Sequence, residues 1–179
     1  MSNLGSKILL LLLGGVAFGC SITPGRQRYI IRTVIQEWKR LSPKDIKREI
    51  RNLNKSKLIK KVKESDKSFN ILLTDKGKLK AINYYFQNLK IEQKEWDKKW
   101  RLVFFDVPEK LRKGRDALRE KIKKLGFYEL QKSVFIFPYE CKKEIEFVIE
   151  YFGLSKCAHY AVLESIDDDS YVKKVFNLS

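Results

Sequence analysis

The chain has 179 residues, and 38 Lys and Arg against 22 Asp and Glu give it a formal net charge of +16. A hydrophobic fraction of 44% excludes a wholly disordered polymer, because such a chain can bury a core. Three cysteines without a CxxC pair and a single histidine, His159, exclude a disulfide framework and a structural zinc site.

The positive charge is unevenly divided along the sequence. Residues 1–90 hold 20 Lys and Arg against 6 Asp and Glu, whereas residues 91–179 hold 18 against 16. A basic half beside a nearly neutral half predicts one polyanion-binding domain and a second domain with another task.

The first apolar segment allows two interpretations. Lys7, the run Ile8 to Leu13 and the following residues up to Cys20 imitate an export signal. The apolar run is, however, shorter than the roughly 20 residues that span a membrane as a helix. A buried first helix over about residues 4–19 explains the segment without export. We therefore expect a cytoplasmic protein without membrane association.

The rest of the N-terminal half has the order of a winged helix-turn-helix. Ser42 followed by Pro43 is a strong helix start, with Ser as the N-cap and Pro at the first helical position. Two short apolar runs around a polar turn predict a β-hairpin. The predicted elements are helices over 26–40, 43–55 and 74–89 and strands over 58–62 and 69–73.

A basic surface on the third helix and the hairpin is the first candidate site. Apolar residues of helix 43–55 recur at helical spacing, so the cations fall on the opposite face, where we expect no acidic partners. This face predicts binding of duplex DNA through the major groove, with the hairpin in contact with phosphates. The alternative is a charged face that is merely solvated. The candidate nucleic-acid-binding residues are Lys44, Lys47, Arg48, Arg51, Lys55, Lys60, Lys61, Lys63 and Lys67.

The second half has the order β-α-β-β-α-β, which predicts a ferredoxin-like domain and an α+β protein overall. We expect a winged helix DNA-binding domain over 1–90, a charged connector over 91–99 and the ferredoxin-like domain over 100–179. The predicted elements of the last domain are strands over 100–106, 127–131, 132–138 and 158–165 and helices over 109–125 and 142–153.

Asp106, at the end of the first strand of this domain, is the second candidate site. One interpretation is a Mg²⁺ ligand, which requires a second chain to bring its own Asp106 opposite, because one carboxylate alone holds such a metal poorly. The other is a structural residue that satisfies backbone amides before Pro108. The cations at the start of the next helix either bind phosphate or are solvated; they are Arg112, Lys113 and Arg115. The three aspartates of residues 167–169 predict a loop or a helix N-cap.

These residues also carry a family resemblance. The segment from Trp100 to Glu150, with Phe105-Asp106-Val107 and the later Gln131, Ser133, Val134 and Phe135, resembles the central domain of PaaX-type transcriptional repressors. That domain is itself similar to the small nuclease of CRISPR spacer acquisition. Residues 73–78 and 161–168 are also similar to the PaaX type. The usual C-terminal domain of such repressors, linked to sensing an acyl-CoA effector, is not matched in this sequence.

The resemblance implies a DNA-binding regulator that acts as a repressor. We expect it to dimerise through its ferredoxin-like domain and to need no cofactor. It also implies an alternative, a Mg²⁺-dependent endonuclease acting on RNA or DNA with Asp106 from two subunits. A third class is an assembly module whose second domain docks another protein and which reads no specific DNA sequence. We expect the regulator rather than an enzyme and leave the alternatives open.

Overall fold

The computed structural model describes residues 3–16, 42–65 and 68–178. The chain divides into two compact units, Met1–Asn88 and Leu89–Ser179. Helices and two separate antiparallel sheets confirm the predicted α+β class. The predicted helix over 26–40 lies outside the described residues. Within the described ranges, no helix is long and apolar enough to cross a membrane.

The first unit combines helices with one β-hairpin. Its core joins Leu9 of the first helix, Leu53 of the second, and Ile59 and Leu73 of the hairpin, all at most 5% exposed. The hairpin is antiparallel and pairs Ile59 with Leu73. In chain order, and numbered over the described residues, the elements are α1 (Asn3–Val16), α2 (Pro43–Lys55), β1 (Ile59–Ser65), β2 (Ser68–Leu73) and α3 (Asp75–Asn88).

The second unit is built around a four-stranded antiparallel sheet. Its strand order is β4-β5-β3-β6, so the first and third strands of the unit are central, as in the predicted ferredoxin-like arrangement. A 3₁₀ turn over Glu109–Leu111 precedes its first helix. Its elements are β3 (Trp100–Phe105), α4 (Arg112–Lys124), β4 (Tyr128–Gln131), β5 (Val134–Phe137), α5 (Lys142–Tyr151), β6 (Ala158–Leu163) and α6 (Ser170–Val175).

The two faces of this sheet have different surroundings. Alternation along β3 places Trp100, Leu102 and Phe104 on one face and Val103 and Phe105 on the other. Trp100 and Leu102 lie in a cluster with Val172 of α6 and the neighbouring Phe176. Phe104, beyond that cluster, is 38% exposed. The C-terminal helix thus covers only part of this face.

The structure corrects the sequence prediction in two places. The predicted helix over 109–125 is divided into the 3₁₀ turn, which leaves Leu111 41% exposed, and α4. Helix α6 was not predicted, because its six residues are too short to establish a helical period. The 167–169 segment leads into α6 with Asp169 at the N-cap position, one of the two interpretations predicted, although its side chain makes no cap bond.

Candidate nucleic-acid interface

The start and the buried side of helix α2 both follow from its sequence. The Ser42 hydroxyl accepts a hydrogen bond from the Lys44 backbone N–H at 3.2 Å, and Pro43 occupies the first turn, as predicted. Leu53 is 2% exposed and belongs to the core of the unit. Glu49 is also buried, although it is charged, and accepts a bond from Asn52 Nδ2 at 3.3 Å.

The face of α2 opposite Leu53 carries a continuous row of cations. Its members are spaced by four, three and four residues, which places them along one side of the helix, and all are exposed. Lys47 is exposed on the flank of the same face. We call this set the α2 cation row: Lys44, Arg48, Arg51 and Lys55.

One acidic residue lies beside the α2 cation row, contrary to the prediction that this face has none. Asp45 Oδ1 lies 2.8 Å from Arg48 Nη2, three residues away on the next turn. In the described part of the chain, no ion pair involves the remaining row members or Lys47. The spacing of three residues between Asp45 and Arg48 was visible in the sequence and is typical of an ion pair on one helix face.

The hairpin contributes fewer described cations than were predicted. Lys60 and Lys61 of β1 are exposed. Lys63 belongs to β1, and Lys67 lies outside the described residues. Because neighbouring strand residues point to opposite faces, Lys60 and Lys61 lie on different sides of the hairpin.

Hydrogen bonds of the Thr74 side chain, at the start of α3, hold the hairpin beside the end of α2. We call this set of bonds the Thr74 lock. Thr74 Oγ1 donates to the carbonyl oxygens of Lys57 and Leu58, at 2.8 and 3.1 Å, and accepts from the Gly77 N–H at 3.1 Å. A Cβ at Gly77 would lie 1.9 Å from the Leu58 oxygen. Sequence reasoning identified this segment only as a helix start and missed the lock.

Asp106 lies in the other unit, just beyond β3. Its backbone N–H donates to the Cys157 oxygen at 2.9 Å, and the Phe105 N–H donates to the Ser133 oxygen at 3.1 Å. The strand end is therefore held from both sides. The Asp106 carboxylate is exposed and accepts no hydrogen bond from the described residues, so the predicted bonds to backbone amides are not found.

The surroundings of Asp106 offer no complete metal site within one chain. Among the described residues, no group of three His, Cys, Asp or Glu side chains is placed to hold a metal ion. A lone exposed carboxylate is a poor donor set for Mg²⁺, which needs further oxygen ligands. The conditional prediction of a Mg²⁺ site therefore still requires a second copy of the chain.

The arginines at the start of α4 are paired with carboxylates. Glu109 contacts Arg112 at 3.5 Å and Arg115 at 3.2 Å, and Asp116 contacts the same two arginines at 3.7 and 3.6 Å. Lys113, between them, is exposed. These ion pairs offset the positive charge that would attract a phosphate, one of the two roles predicted for these residues.

A buried arginine at the opposite end of β3 was not singled out from the sequence. Arg101 is 3% exposed; its Nη2 lies 2.6 Å from Asp97 Oδ2 and 3.2 Å from Glu140 Oε2. The hydrogen bond from Arg101 lowers the pKa of the Asp97 carboxyl below its ordinary value. The signal was present, because strand alternation places Arg101 on the same inward face as Val103. This cluster joins the segment before β3 to the end of β5.

Comparison with known proteins gives a family match within the second unit. Residues 93–174 match the family model described as PaaX protein central Cas2-like domain. The match includes β3 to β6 and Asp106, and it confirms the resemblance identified from Phe105-Asp106-Val107 and from Ser133 to Phe135. No curated protein matches the chain. At the level of the family, the PaaX-type domain supports a PaaX-like regulator.

Proposed function

We propose that this protein is a PaaX-like transcriptional regulator whose first unit is a winged helix that binds duplex DNA. The observation that carries the proposal is the α2 cation row, which lies on the exposed side of a helix anchored by Leu53. A helix about 10–12 Å wide fits the major groove of B-DNA. The hairpin, with Lys60 and Lys61 exposed, serves as the wing and contacts phosphates.

The PaaX-type domain supplies the second part of the proposal, a homodimer. Exposed Phe104 extends the apolar sheet face beyond the area covered by α6, and the rings of Phe104 and His159 lie 5.3 Å apart. Pairing two chains would place two α2 helices on two half-sites, with the spacing set by the dimer.

The test of DNA binding is a salt titration of the full chain with a labelled mixed-sequence duplex. Affinity falls steeply with salt if several Lys and Arg displace counterions from phosphates. Replacing Lys44 and Lys55 with Ala lowers both the affinity and the salt slope. The matched control replaces Lys142 and Lys156, two exposed lysines of the other unit, and carries the same loss of charge. Equal effects of the two double variants would contradict the proposed interface.

A second candidate function, a Mg²⁺-dependent endonuclease acting on RNA or DNA, is favoured by one observation. The Asp106 carboxylate is exposed and without a partner among the described residues, as expected of a group available to a ligand. Incubating the protein with labelled duplex DNA and with RNA, with Mg²⁺ or with EDTA, separates the candidates. Cleavage that requires both Mg²⁺ and Asp106 identifies the nuclease, and a retarded complex without cleavage leaves the regulator.

A further inference from the structure

Asp45 is out of place on a surface that binds a polyanion. A carboxylate close to DNA phosphates opposes binding, since the affinity of such a surface comes largely from cations that displace counterions. Asp45 nevertheless lies beside the α2 cation row, and its side chain is 42% exposed. Its contact is directed at one member of the row, with Oδ1 2.8 Å from Arg48 Nη2.

The position of Arg48 along the helix distinguishes it from Arg51, the other arginine of the α2 cation row. Helix α2 starts at Pro43, so Arg48 lies in its N-terminal half, whereas Arg51 and Lys55 follow towards its end. In helix-turn-helix proteins the N-terminal residues of the recognition helix reach base edges, and contacts outside that region go to the phosphate backbone. Arg48 is therefore the arginine of the row best placed for a base.

The chemistry of the side chain agrees with this position. The guanidinium presents a planar fork of donors that matches the O6 and N7 acceptors of guanine, whereas a lysine ammonium is a point charge. A free arginine on a helix surface has many rotamers, and fixing them opposes binding through lost entropy. A carboxylate bonded to one terminal nitrogen restricts these rotamers before DNA arrives, which leaves other donors of the fork free.

We infer that Asp45 is a positioning residue that orients Arg48 for a bidentate contact with guanine in the major groove. The lysines of the α2 cation row, together with Lys47 and Arg51, then contact phosphates. The inference rests on the proposed function, because it assigns roles within the proposed DNA-binding face. An ion pair that only stabilises the first turns of α2 is the competing explanation, and the experiment is chosen to separate the two.

The experiment begins with selection of duplexes by the full-length protein from a randomised library. Affinities of the wild type and of variants are then measured for the most enriched duplex and for a mixed-sequence duplex at one salt concentration. Each guanine of the enriched duplex is also replaced in turn by 7-deazaguanine, which lacks the N7 acceptor but keeps base pairing. Circular dichroism of each variant checks that α2 and the rest of the fold are retained.

Arg48→Ala and Arg48→Lys both lower the affinity for the enriched duplex by about 5- to 150-fold, the range of one bidentate base contact. Arg48→Lys leaves the affinity for the mixed-sequence duplex close to wild type, because it keeps the charge. Lys47→Ala, the matched phosphate-contact control, lowers both affinities by a similar factor. Replacing one particular guanine by 7-deazaguanine weakens the wild type and leaves Arg48→Ala unaffected.

Asp45→Asn gives the decisive result, because its two expected effects have opposite signs. It lowers the affinity for the enriched duplex, since Arg48 is no longer oriented, and raises the affinity for the mixed-sequence duplex, since a negative charge is gone. Equal changes on both duplexes, or no guanine whose N7 matters to Arg48, would overturn the inference while leaving duplex binding intact. Absence of any salt-dependent duplex binding by the wild type would instead overturn the proposed function itself.

Discussion

The Thr74 hydroxyl lies 2.8 Å from the carbonyl oxygen of Lys57, seventeen residues earlier, and ties the start of α3 to the turn after α2. Lys57 has φ of 55°, in the left-handed region, so this turn is tightly bent. The same hydroxyl also receives the Gly77 N–H. One small polar side chain thereby fixes the position of the proposed wing relative to the proposed recognition helix.

Thr74→Val removes these bonds while keeping the shape of the side chain. We expect the free energy of unfolding of the first unit to fall by about 1–3 kcal/mol, because a helix cap is lost and polar backbone groups lose their partner. Hydrogen exchange measured by mass spectrometry localises the effect to β1, β2 and the first turn of α3. Thr74→Ser, which keeps the hydroxyl, serves as the control and should retain most of the protection.

Two helical glycines allow a matched test of close packing. A Cβ at Gly77 meets the Leu58 backbone oxygen at 1.9 Å, whereas a Cβ at Gly114 meets only Leu154 side-chain atoms, at 3.8 and 3.9 Å. We expect Gly77→Ala to destabilise the first unit by about 1–3 kcal/mol or more, since backbone must move. Gly114→Ala should be neutral or stabilising by about 0.5–1 kcal/mol, because Ala favours helix. Urea unfolding of the wild type and of both variants measures these effects. A Gly77→Ala variant whose midpoint is as little changed as that of Gly114→Ala would contradict the close approach.

Much of the second unit could be predicted from sequence because its signals are local. Strand β3 is an uninterrupted apolar run but for Arg101. Gly126, two residues after the end of α4, has φ of 97°, the left-handed conformation in which glycine commonly ends a helix. The order of strands and helices then leaves few arrangements of the sheet. The family match to residues 93–174 agrees with the resemblance carried by the same residues.

What sequence reasoning missed depends on contacts between distant residues. The Thr74 lock joins residues sixteen and seventeen apart, and the Arg101–Glu140 pair joins residues thirty-nine apart. Neither separation corresponds to the repeat of a helix or of a strand, so the sequence pattern does not indicate these contacts. Asp45 was missed for another reason: it is a local partner of Arg48, but the face was judged by its cations alone. For Asp106, the sequence predicted its place at the end of the strand but not the absence of bonds to its carboxylate among the described residues.

The proposed dimer predicts unequal effects of two exposed apolar side chains. Phe104 and Val162 are 38% and 48% exposed, and strand alternation with the β3–β6 register places them on opposite faces of the sheet. We expect Phe104→Ser to lower the sedimentation mass of the full chain towards that of a monomer, and Val162→Ser to leave it unchanged. A wild-type protein that sediments as a monomer at micromolar concentration would contradict the dimer, and loss of association in the Val162 variant alone would contradict the assigned face.

The last prediction concerns acid stability and the Asp97–Arg101 pair. The hydrogen bond from Arg101 lowers the pKa of Asp97 in the folded protein, so the carboxylate contributes stability above its unfolded pKa, and this contribution is lost as the pH falls through the folded pKa. Glu144 acts in the opposite direction, because burial raises its pKa and protonation at falling pH relieves that cost.

Comparison of Asp97→Asn with the wild type isolates the first effect. We expect the variant to be less stable than the wild type at pH 7, since Arg101 remains buried with a weaker partner. The difference between the two should begin to shrink as the pH falls below the ordinary aspartate pKa, where Asp97 is protonated in the unfolded chain but still ionised in the folded wild type. Urea midpoints of the second unit, followed by Trp fluorescence from pH 7 to pH 3, measure this difference. A difference that is constant over that range would show that Asp97 does not act through its charge.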